Sequence, residues 1–173
     1  MMNVGTKSLL FGVHQLVLHP YAVLRAWIEL YGWPTWRELV CIIIHDWGYW
    51  GKPNMDGKEG ESHPLLGANI GGRLFGHKYW LLCAHHSRHW SKLNGESPSK
   101  LCWADKLSIK YMPTWLYLLL GTLSGEIKEY RRKSAINFSI FKSNREWHEW
   151  MKAGMIRMAE QRDAGAMPYM QKE

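Results

Sequence analysis

Six short stretches of this 173-residue chain carry side chains that bind metals: His14 and His19, the pair His45-Asp46, His63, the pair His85-His86, and Asp105. Imidazole and carboxylate together suit zinc, iron or manganese. An aspartate lying between two sets of imidazoles is a natural bridge for a metal pair held roughly 3.5–4 Å apart. Most of these residues sit in or beside apolar segments. The pair at 45–46 closes the greasiest run of the chain, "ELVCIII", and such a stalk suits a ligand that must be held rigidly in a dry pocket. A single buried histidine is more often a structural core residue, so the expectation rests on the number of these groups and their order.

The elements that must position them read as helices. Residues 8–31 place Leu9, Leu10, Val13, Leu16, Val17, Val23, Leu24, Trp27 and Leu30 at helical spacing, with a break expected near Pro20. That reading puts His14 and His19 on one first helix. "PTWRELVCIIIHDWG" opens with proline and threonine and closes at Gly48, a helix with a start and a stop, although the β-branched run 40–44 would also suit a buried strand. Residues 51–62 are saturated with turn formers and form a loop. Helices are expected over "HPLLGANIGGRLFG", "KYWLLCAHHSRHW", "SKLCWADKLSIKYM" with a serine cap, "TWLYLLLGTLSGEIKEYRRK" and "SNREWHEWMKAGMIRMAEQRD". The result is an all-α bundle of six or seven helices. It forms a single domain over 1–173, with a metal-binding core at about 14–110 and C-terminal helices over 114–165.

Composition narrows the classes. Three cysteines, Cys41, Cys83 and Cys102, lack CxxC spacing and lie in apolar surroundings, which predicts reduced core thiols and a cytoplasmic protein. The N-terminal stretch lacks the features of a secretory signal, and no apolar run reaches the roughly 20 residues of a spanning helix, so no membrane partner is expected. A net charge of +7 attracts anions of any kind, phosphorylated small molecules and nucleic acid alike. Eleven tryptophans are expected to fill a helical core and its rim. The alternation of Glu126, Lys128, Glu129 and Arg132 reads as an exposed, salt-bridged helix face, which disfavours a nucleic-acid site there. Trp147, Trp150, Met151, Met155 and Met158 form an apolar stripe for core or subunit packing, leaving a homo-oligomer open.

The ordered set of histidines and aspartates resembles the HD superfamily of metal-dependent phosphohydrolases. "HDWG" is similar to the HDxG of that family, "HPLLGA" to its HxxxGA helix, "CWADKL" to the helix carrying its last aspartate, and "HPYAVLRAWIEL" to its first helix. The resemblance covers about residues 14–110. It implies an HD-domain helical bundle in which His19, His45, Asp46 and Asp105 hold one metal, with His14 as the alternative to His19. Asp46 would bridge to a second metal held with His63 and one or both of His85 and His86, similar to the two-metal branch that includes HD-GYP phosphodiesterases. The GYP motif is missing. Some nucleotidases of the superfamily place a glutamate three residues after the HD aspartate, and here Tyr49 stands in that place.

The implied cofactors are two divalent transition-metal ions, iron or manganese first, with zinc, cobalt, nickel or magnesium as alternatives. The implied reaction is hydrolysis of a nucleotide or related small phosphoester by a metal-bridging hydroxide, with Asp46 central to it. Arg88 and Lys106 are the expected catalytic and substrate-binding cations, Lys52 in the loop a further substrate contact, and His89 a proton relay. Loop 51–62, pinned between two ligand segments, is a candidate lid. Two readings of other classes stay open: a mixed-valent di-iron oxygenase with the same ligand set, and a non-catalytic nucleic-acid or partner-binding module whose histidines are structural.

Overall fold

A computed structural model describes residues 2–137 and 141–163. Residues 138–140 and 164–165 of the expected C-terminal helical segment lie outside the described residues. Among the described residues there are ten α-helices and no strand: α1 (Val4–Phe11), α2 (Leu18–Tyr31), α3 (Trp36–Ile44), α4 (Pro64–Phe75), α5 (His77–Ala84), α6 (Arg88–Leu93), α7 (Lys100–Ser108), α8 (Thr114–Ser124), α9 (Glu126–Asn137) and α10 (Asn144–Gln161). The all-α expectation holds, and the count is higher than six or seven because three expected helices are each divided in two.

The divisions have local causes. The first segment breaks at residues 12–17, ahead of Pro20, because the proline sits in the first turn of α2, where its missing N–H costs nothing. His14 therefore lies in a connector and only His19 is on a helix. The α5/α6 break falls at His85–Ser87, and the α8/α9 break at Gly125, whose φ of 91° few other residues adopt readily. Helix α3 opens on a reciprocal capping box between Thr35 and Glu38 and ends at Ile44, four residues short of Gly48. Within its helical span the β-branched run is overridden by packing: Cys41 and Ile42 are fully buried on the side that faces α2, α4 and α5.

Two clusters make up most of the core. One joins Val23, Ala26 and Trp27 of α2 with Ile42, Ala68, Cys83, Leu101, Ala104 and Leu107, so it binds together the helices that carry the histidines and aspartates. The other gathers Val13, Ile109, Met112, Tyr117, Ile127, Phe141, Trp147 and Met151 around α8 and α10. All three cysteines are free and buried. Of the expected C-terminal stripe, Trp147, Met151 and Met158 are buried. The tryptophans divide more evenly than expected. Trp27 and Trp147 are enclosed, whereas Trp33, Trp36, Trp50 and Trp115 stand well exposed.

Candidate metal centre

Asp46 lies at the meeting point of four imidazoles. Its Oδ2 is 3.0 Å from His19 Nε2 and 3.3 Å from His45 Nε2, while its Oδ1 is 3.3 Å from His86 Nε2 and 3.6 Å from His63 Nε2. Asp105 Oδ1 completes the first side at 3.2 Å from His19 Nε2. The ligand atoms thus fall into two groups, His19/His45/Asp46/Asp105 and Asp46/His63/His86, that share one carboxylate and could hold metal ions.

Local structure sets the imidazole orientation. His45 follows the last residue of α3, His63 follows a 3-10 turn over residues 60–62, and His86 stands two residues past the end of α5. Each donates its Nδ1–H to the carbonyl three residues earlier: His45 to Ile42 at 2.8 Å, His63 to Gly60 at 2.7 Å and His86 to Cys83 at 2.5 Å. These carbonyls lie at helix or turn ends; those of Gly60 and Cys83 also take the backbone N–H of the same histidine, and the imidazole supplies a further donor. Because a carbonyl can only accept, Nδ1 must carry the hydrogen. In the neutral ring Nε2 then presents a lone pair. The lone pairs of His63 and His86 point at one another, their Nε2 atoms 3.0 Å apart, and that of His45 faces His19 Nε2 at 3.3 Å. Asp46 Oδ2 is buried with no donor aimed at it. Electron pairs meeting in a dry pocket need positive charge between them, so the donor set fits a cation on each side of Asp46.

The electrostatics agree. Burial and the neighbouring His86 hold His63 well below the ordinary imidazole range, and burial lowers His45, so both stay neutral. Burial works against a proton on His19, yet its hydrogen bond to Asp105 and the charge of Asp46 outweigh it and lift the group to about 10. Asp46 and Asp105 stay ionised well below the usual carboxylate range despite burial, the first held there by the imidazoles gathered around it and the second chiefly by Lys106. His19 would have to release that proton to serve as a ligand on this side.

The "HDWG" glycine has a steric reason. A Cβ on Gly48 would stand 1.9 Å from the carbonyl oxygen of His63, so only glycine lets the two ligand-bearing segments touch. Tyr49 follows it and stacks on the His63 ring at 4.0 Å between centroids and 9° between planes.

A cavity of about 470 Å³ opens from this centre, within the range of small-molecule sites. Arg88, His89 and Lys106 line it. Lys106 Nζ donates to Asp105 Oδ2 at 2.6 Å, and the Arg88 guanidinium donates to the Met158 sulfur at 3.3 Å. Lys52 is not among the lining residues; its ammonium donates to Ser62 Oγ. His85 is buried but belongs to neither ligand group, its ring lying edge-on toward Trp80. His14 belongs to neither group either. It pairs through Nδ1 with Glu126 at 3.1 Å while still lining the cavity.

The far wall, absent from the sequence expectations as a site, comes from the C-terminal helices: Tyr117, Tyr130, Lys133, Trp147, Trp150 and Met155. Apolar spacing identified the stripe on α10, yet the same spacing serves a core and a cavity wall. The exposed salt-bridged face expected of α9 is corrected in part. Glu126 is fully buried and takes hydrogen bonds from Val13 N and Ser124 Oγ, and Glu129 takes those of Met55 N and Asp56 N. Lys128 and Arg132 are exposed as expected. Alternation of charge along a helix does not show which carboxylates meet the backbone of distant loops.

No known protein family, curated protein or solved structure matches the chain.

Proposed function

We propose that the protein is a metal-dependent phosphohydrolase related to the HD superfamily, acting on a nucleotide or similar small phosphoester with two transition-metal ions, iron or manganese. The observation that carries this reading is the paired ligand set around Asp46, with imidazole tautomers fixed so that their lone pairs converge. Its order along the chain resembles that of the family named above.

In this reading His19, His45, Asp46 and Asp105 hold one ion, and Asp46, His63 and His86 hold the other. When bound, such ions supply Lewis acidity toward phosphoryl oxygens and an acidified water as nucleophile. The chain contributes the rest. Arg88 and Lys106 bring positive charge to the cavity where a phosphoryl group would lie, and Lys133, reached from α9, adds a third cation. His89, also on the cavity wall, is placed to pass a proton to the leaving group. Tyr49 closes over His63 and keeps bulk water from one face of that ligand. The aromatic wall of α8–α10 receives the organic part of the substrate.

The test is metal analysis of protein purified without chelator, followed by phosphate release from a panel of nucleotides and phosphoesters with added iron or manganese. About two equivalents of metal are expected, with activity that falls more than about 10³-fold in Asp46→Ala, beyond the cost of removing one stabilising donor. Oxygen consumption with iron and no phosphate release would overturn the hydrolase, and a protein that takes up no transition metal would overturn the site.

A further inference from the structure

Helix α8 contains no charged residue, yet it is only half covered. Tyr117, Gly121 and Ser124 are buried, while Trp115, Leu119 and Leu123 are 68%, 50% and 58% exposed. A spacing of four puts these three on one outward stripe. The opposite face of α8 is the covered one: Val13 of the α1–α2 connector shares a buried cluster with Tyr117 and Ile127, and α1 packs on α8. Large apolar side chains gathered on one face mark a contact surface, whereas isolated exposed leucines do not.

Charge identifies the occupant. The C-terminal end of α8 opens into a concavity lined by Thr122, Gly125, Lys128, Arg131 and Arg132, so the apolar stripe ends at a basic edge. The chain as a whole carries +7. A second copy docked on this face would bring the same positive charge toward its own kind. A negatively charged lipid surface meets both features at once, taking tryptophan and leucine at the acyl boundary and lysine and arginine at the phosphates. We infer that the outer stripe of α8 and the basic edge at its C-terminal end form a docking surface for an anionic lipid bilayer, on which the protein lies without crossing.

Among the described residues no helix is long and apolar enough to cross a membrane, and lying on a surface requires none. The expectation of no membrane partner rested on span length, which speaks to crossing alone. The inference is independent of the proposed hydrolase, since lipid contact is read without turnover.

The test is co-sedimentation of the full chain with vesicles of phosphatidylcholine alone and of phosphatidylcholine mixed with phosphatidylglycerol, at low and high salt. Binding to the mixed vesicles alone is expected, weakening as salt rises. Lys128→Glu with Arg132→Glu should weaken it by at least about 25-fold, roughly fivefold for each cation lost. Leu119→Asp should weaken it more than about tenfold by putting a charge where an apolar side chain meets lipid. Trp115→Ser serves as a second exposed change should Leu119→Asp fail to fold. Absence of binding to the mixed vesicles overturns the inference. So does binding that both apolar variants retain, which would be charge attraction alone, and so does a dimer that Leu119→Asp dissociates while vesicles leave the protein in solution.

Discussion

Two kinds of buried histidine occur in this fold, and they differ in what their ring nitrogens face. His45, His63 and His86 each tie Nδ1 to a carbonyl at a helix or turn end and turn Nε2 toward Asp46. His148, in the middle of α10, is as deeply buried, yet neither nitrogen has a hydrogen-bond partner among the described groups; its ring packs on Tyr117 at 4.4 Å between centroids. Burial alone is therefore no sign of a ligand. The sign is a donor anchored to backbone with the second nitrogen aimed at other donors. The contrast extends to whole regions: helices α2–α7 converge polar atoms on one point, whereas α8–α10 face the same cavity with aromatic and sulfur-bearing surfaces.

The sharpest way to break the comparison is to change neighbours in sequence. His86→Gln should lower metal affinity more than about 100-fold, beyond the 10–100-fold typical of losing a group that merely supports a ligand, while His85→Gln should leave it near the parent value. Isothermal titration of the apo-protein with manganese measures both, and equal losses would erase the distinction drawn between the two residues. Next in size is Glu126→Ala. It removes a fully buried carboxylate paired with His14 and should cost about 3–5 kcal/mol in urea unfolding. A loss under about 1 kcal/mol would mean that the tie between α9 and the α1–α2 connector is not a structural one.

His148 gives the smallest effect and a clear sign. Burial, with Lys152 second, pulls its pKa from 6.5 down to about 4. Between those values the unfolded chain takes up a proton that the folded protein does not, so stability falls as the pH is lowered from 6.5 toward 4. The full contribution is about 3 kcal/mol. His148→Leu should flatten the pH dependence of unfolding across that window. An unchanged slope would show that the ring is protonated and partnered in the folded state.

Much of this was legible in the sequence, for definable reasons. Proline and glycine punctuation and apolar spacing marked an all-helical chain, and the order of His14 or His19, His45-Asp46, His63, His85-His86 and Asp105 marked a candidate metal centre because ligand chemistry depends on residue type. Spacing to Val23 favoured His19 over His14 without showing which ring points inward, and it could not choose between His85 and His86. Both choices depend on where a helix ends to within one residue. The break at residues 12–17 and the stop of α5 at Ala84 decide which ring turns inward. The cavity wall was hidden for a different reason: Trp147 and Met151 follow the pattern of an ordinary core stripe, and only the tertiary arrangement leaves space in front of them. Lys133 and the carboxylates of α9 were hidden likewise, since their partners lie in loops distant in sequence.

Those carboxylates carry one more consequence. Glu126 grips the α1–α2 connector and Glu129 grips the backbone at Met55 and Asp56, a single helical turn apart on α9. Two rims of the cavity, one from ahead of His19 in the chain and one from between Asp46 and His63, thus hang from one rod. A small rotation or slide of α9 cannot widen the mouth at one rim while leaving the other in place, so the aperture is governed as a unit by the seating of that helix.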